Sequence, residues 1–65
     1  QKKLFVELDQ LEQKVFDFLQ KNGRQELDII SMACELPSNK TSSLLLNMEM
    51  KGVIIPLPGK YFEVI

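Results

Sequence analysis

The residues best suited to chemistry in this 65-residue chain are polar and close together: Asn39, Lys40, Ser42, Ser43 and Asn47, with Lys51 and Lys60 further on. Amides and hydroxyls of this kind hydrogen-bond base edges and phosphate oxygens, and lysines neutralise phosphates. No arginine stands at any of these positions, and bidentate arginine–guanine pairing is the commonest specific base contact. The chemistry on offer is a weak, salt-sensitive, sequence-indifferent contact with DNA, on the order of two or three phosphates. For each of these side chains the plain alternative is a solvated face.

Catalytic chemistry has much less to work with. The chain holds no histidine and a single cysteine, which denies a zinc site its usual ligands and leaves no nucleophile beside a base. The carboxylates are scattered along expected exposed faces rather than paired, as general acid–base work requires. No catalytic residue, metal, cofactor or small-molecule substrate is therefore expected. Cys34 reads as a small core residue, and Glu49 as an acceptor for a loop amide or a lysine. One cysteine cannot close an intramolecular disulfide, which fits a reducing, cytoplasmic setting. No apolar run approaches the roughly 20 residues of a membrane span, and no secretory signal pattern is visible.

Composition bounds the size of the answer. The chain is 45% hydrophobic and 26% charged, with a formal net charge of −1. That is globular composition, and it lacks the strongly basic footprint of a phosphate-driven nucleic-acid binder. At this length about 60% of the unfolded chain's surface is buried on folding, enough for one core. The first residue is Gln1 rather than Met, so a piece of a longer protein is expected.

The elements that must position these residues follow from periodicity. Residues 1–8 read as an extended linker remnant, and a domain is expected over 9–65. Asp9 is a good N-cap with Glu12 three residues on, the pattern of a capping box, and Leu8 is placed to staple the first turn. Leu11, Val15, Phe18 and Leu19 then recur at helical spacing. Asn22 and Gly23 supply a stop. The RQEL segment fits a brief strand or connector. Asp28 offers an N-cap for a short, well-buried second helix, DIISMACEL, which Leu36 and Pro37 end. Ser38 is the expected cap of a third helix, SNKTSSLLLNMEMK, with Thr41, Leu44, Leu45 and Met48 on its core side. Gly52 ends it. VIIPL and KYFEVI, separated by Pro58 and Gly59, read as a hairpin, with Pro56 confining the first strand to an edge.

Two helices joined by a turn of about three residues make a helix-turn-helix, and the hairpin after it makes a wing. The expected fold is mainly α with a small antiparallel β-sheet: a winged helix-turn-helix of three helices plus a C-terminal β-hairpin. In that arrangement the third helix offers its N-terminal side chains to a DNA groove, and its backbone amides favour a phosphate there. A protein contact competes with this. Leu46 and Met50 lie away from the core side of the third helix, and Ile55 and Leu57 present apolar surface from the hairpin, the kind of patch that often marks a partner site. Tyr61 and Phe62 alternate along a strand, Phe62 inward and Tyr61 outward, where it can stack on a base.

Three stretches resemble the C-terminal winged-helix domain of the DprA family, also called Smf, the bacterial DNA-processing proteins of natural transformation. They are EQKVFDFL (12–19), ELDIISMACELP (26–37) and LLLNMEMKGVIIPLPGKYFEVI (44–65). The last is the most particular, with its leucines around a glutamate, then Gly, a short strand, Pro-Gly and a tyrosine-bearing strand. Glu35 departs from the pattern, standing where the family often has a glycine. The resemblance implies a cytoplasmic parent active in competence, whose Rossmann-like domain binds single-stranded DNA and helps load the RecA recombinase. It implies for this segment an accessory nucleic-acid contact in DNA uptake and recombination, or a protein-interaction module binding RecA, a partner domain or a second copy. The family's glycine-rich phosphate loop has no counterpart in this chain.

Overall fold

The computed structural model describes residues 7–65. Of the expected linker, residues 1–6 lie outside that range, and Glu7 and Leu8 have no regular secondary structure. Helix α1 (Gln10–Asn22) starts where the capping box placed it. The Asp9 carboxylate accepts from the Glu12 amide at 2.8 Å, and Glu12 Oε1 accepts from the Asp9 amide at 3.1 Å. Two of the amides that a helix start leaves unpaired are thereby satisfied. The helix stops at Gly23, whose φ of +78° places it where side chains are disfavoured and whose amide donates to the Leu19 carbonyl.

Strand β1 (Gln25–Glu26) runs directly into α2 (Leu27–Cys34). The helix begins two residues earlier than the Asp28 cap predicted. Its N-cap is Glu26, which makes no side-chain capping bond. The reason is tertiary: β1 pairs with the last strand, and the Leu27 amide continues that ladder by donating to the Lys60 carbonyl at 2.9 Å. Asp28 falls inside the first turn, where its charge suits the helix dipole. The expectation of a well-buried α2 also needs correction. Ile30, Ser31 and Cys34 are buried, whereas Ile29 and Met32 are exposed. Two turns of helix present one stripe to α1 and α3, and the remainder faces out.

Glu35 carries the chain out of α2 in the left-handed conformation, φ 56° and ψ 48°. The Glu35 amide donates to the Met32 carbonyl and the Leu36 amide to the Ser31 carbonyl, closing the helix in a Schellman-like turn. Three residues, Glu35 to Pro37, thus join α2 to α3 (Ser38–Met50). Pro37, rather than Ser38, is the N-cap of α3, with no side-chain capping bond. Thr41 anchors this end instead. It is fully buried, and its amide and hydroxyl both donate to the Pro37 carbonyl, at 2.9 and 3.0 Å.

After Gly52 (φ +81°) the chain forms β2 (Ile54–Leu57) and β3 (Tyr61–Val64). The three strands are antiparallel in the order β1-β3-β2, so Pro56 lies on an edge strand, where its missing N–H interrupts no inner ladder. Val15 and Leu19 of α1, Ile30 and Cys34 of α2, Leu44, Leu45 and Met48 of α3, and Ile54 of β2 make one core. Each large apolar side chain in it contributes roughly 1.5–3 kcal/mol of burial. Three helices plus this small sheet constitute the winged-helix arrangement expected from the element order.

Two substitutions test this local structure. Left-handed backbone costs a non-glycine residue about 1–2 kcal/mol, so Glu35→Gly is expected to raise stability by about 1 kcal/mol, read as a higher urea midpoint. A lower midpoint would mean that the glutamate side chain holds the turn. Ser31 Oγ is buried without a hydrogen-bond partner among the described residues, a burden of roughly 1–3 kcal/mol. Ser31→Ala should therefore match or exceed the parent in stability, and a loss above about 1 kcal/mol would reveal a partner for the hydroxyl.

Candidate nucleic-acid interface

Burying Thr41, Leu44, Leu45 and Met48 turns the opposite side of α3 to solvent. Asn39, Lys40, Ser42, Ser43 and Asn47 are all exposed there, as are Leu46 and Met50. Helical spacing aligns Asn39, Ser43, Leu46 and Met50 along the middle of this face. The face is consequently divided along its length: its first two turns expose Asn39, Lys40, Ser42 and Ser43, whereas the remainder interleaves apolar Leu46 (56% exposed) and Met50 (78% exposed) with polar Asn47 and Glu49. Asn39 is partly engaged locally, since its Oδ1 accepts from the Lys40 amide at 2.9 Å.

The lysines differ in circumstance. Lys40 and Lys60 are exposed, and Lys60 sits in the wing turn with φ 64°. Lys51 is tied into the domain: its Nζ donates to Glu12 Oε1 at 2.6 Å and to the Glu7 carbonyl at 2.8 Å. An ammonium group has three donors, and two of them are taken. The lysine-bound carboxylate expected at Glu49 is therefore that of Glu12, which is only 3% exposed, while Glu49 is exposed. The approach to the start of α3 carries the opposite charge. Asp28 and Glu35 flank a groove of about 530 Å³ that also meets Met32, Pro37 and Ser38.

The hairpin places Ile55 in the open and leaves Leu57 half-buried. Tyr61 is 40% exposed and Phe62 packs against the core, the division predicted from their alternation. Arg24 was not among the predicted site residues, yet its guanidinium carbon lies 5.9 Å from the centre of the Tyr61 ring. Together with Leu57 and Pro58 these two line a cavity of about 410 Å³. The signal for it is register: Glu26 pairs with Tyr61, so Arg24, two residues before Glu26, falls on the same side of the strand.

Cys34, the one thiol of the sequence, lies among the described core residues. It is buried, and desolvation pushes its thiol pKa up against a weaker opposing pull from Lys14, the reverse of an activated nucleophile. Among the described residues no cluster of three or more His, Cys, Asp or Glu side chains is placed to hold a metal ion. No helix among them is long and apolar enough to cross a membrane.

Comparison with known proteins bears on this geometry directly. Searches among curated proteins and among solved structures each return no match. A family model described as the DprA winged helix domain matches residues 6–60. That span takes in the capped first helix, the helix-turn-helix and the start of the wing, and the chain belongs to the DprA winged helix domain family.

Proposed function

We propose that this domain is an accessory nucleic-acid-binding module of a DprA-like protein, acting in the cytoplasm in natural transformation and RecA-dependent recombination. It binds and does not catalyse. The observation that carries this reading is the divided face of α3, which exposes Asn39, Lys40, Ser42 and Ser43 in its first two turns and Asn47 in the third. Side chains near the start of such a helix are the ones that reach a groove in helix-turn-helix proteins. Lys60 adds a cation at the wing. With few cations and a net charge of −1, the contact is weak and reads phosphate rather than sequence.

The apolar half of the same face favours a second reading. Leu46 and Met50, with Ile55 and Leu57 of the hairpin, offer surface for RecA, a partner domain or a second copy, without any DNA contact.

A backbone NMR titration with short single- and double-stranded DNA separates the two. Shifts are expected at Asn39 through Asn47 and at Lys60. Two or three phosphate contacts lower the affinity about 10- to 40-fold between roughly 50 and 200 mM salt. Spectra unmoved at millimolar DNA would reject the nucleic-acid reading and leave the surface of Leu46 and Met50 as the site of a protein contact.

A further inference from the structure

The wing contains a site that the α3 reading does not use. Tyr61, on the inner strand β3, pairs with Leu57 on one side and with Glu26 on the other. Its ring is held closely: a Cβ at Gly59 would stand 3.3 Å from Tyr61 Cδ1, so the glycine lets the ring lie along the turn. The guanidinium of Arg24 lies within the roughly 6 Å of the ring centre at which a cation is attracted to an aromatic face. Leu57 and Pro58 complete an open cavity of about 410 Å³, within the range of small-molecule sites.

We propose that this cavity receives one unpaired nucleobase, stacked on Tyr61 beside Leu57 and Pro58, with Arg24 reaching the adjoining phosphate. It rests on the nucleic-acid reading above and names the part of the nucleic acid that the wing takes. An aromatic ring, two apolar neighbours and one guanidinium form a platform for a planar ring bearing a nearby anion, the combination found in single-strand binding surfaces. A paired duplex fits less well. Its bases are stacked away inside, and the same strand positions carry Glu26 and Glu63, whose charges oppose a row of phosphates. A single base needs only one phosphate to be matched.

Tyr61 is the only tyrosine and there is no tryptophan, so the intrinsic fluorescence of the whole chain reports on this ring alone. The chain is titrated at about 50 mM salt with a ten-nucleotide oligo-dT, with an abasic oligonucleotide of the same length, and with a blunt duplex. Oligo-dT is expected to change Tyr61 emission and to bind about 5- to 160-fold more tightly than the abasic strand, the range of one lost stacking contact. Arg24→Ala, a change at an exposed position, should weaken oligo-dT binding several-fold and leave the urea midpoint unchanged. Tyr61→Leu, followed by NMR, should weaken it as well. Equal binding of the abasic strand would overturn the base site in favour of phosphate contacts alone. An unchanged emission together with shifts at Asn39 through Asn47 would overturn the wing site while sparing α3. Neither response would overturn both.

Discussion

A single buried carboxylate governs the arrangement of this domain. Glu12 closes the capping box of α1 by accepting from the Asp9 amide, and the same oxygen takes the Lys51 ammonium at the far end of α3. Burying a carboxylate is costly unless it is paired and hydrogen-bonded, so the two helices must be placed to supply both partners. The Lys51 bond to the Glu7 carbonyl extends the tie to the segment entering α1. With the start of α1 fastened to the end of α3, the core between them admits Val15, Leu19, Leu45 and Met48, and the outward face of α3 is determined.

That choice of outward face limits what the surface can do. One of the three lysines in the second half of the chain is committed to the core's rim. Lys40 and Lys60 remain exposed on α3 and on the wing, and Arg24 leans on Tyr61. Cations so sparse and dispersed suit the weak phosphate contact proposed for this domain. They do not suit the dense phosphate neutralisation of an independent duplex binder. The acidic pair Asp28 and Glu35 at the mouth of the helix-turn-helix reinforces the point.

Much of the fold was legible because its signals are local. The Asp9–Glu12 box, the stripe Thr41, Leu44, Leu45 and Met48, and the edge position of Pro56 each depend on residues a few positions apart. The left-handed turn at Glu35 was visible only as a departure from a glycine pattern, and the backbone there adopts the glycine-like conformation regardless. What escaped was non-local. The start of α2 is set by a strand paired more than thirty residues away, which overrides the preference of Asp28. The engagement of Lys51 spans 39 residues. The meeting of Arg24 with Tyr61 appears only once β1 and β3 are in register.

The most direct test of this description is urea unfolding of Lys51→Met, alone and combined with Glu12→Gln. Breaking a buried pair is strongly destabilising, and the partial exposure of Lys51, 36%, reduces the effect. A loss of about 1–3 kcal/mol is therefore expected for the single variant, with a smaller loss when both are changed, because the double variant leaves no unpaired buried charge. A Lys51→Met midpoint equal to that of the parent would contradict the tie between α1 and α3 and return Lys51 to the exposed, phosphate-facing set.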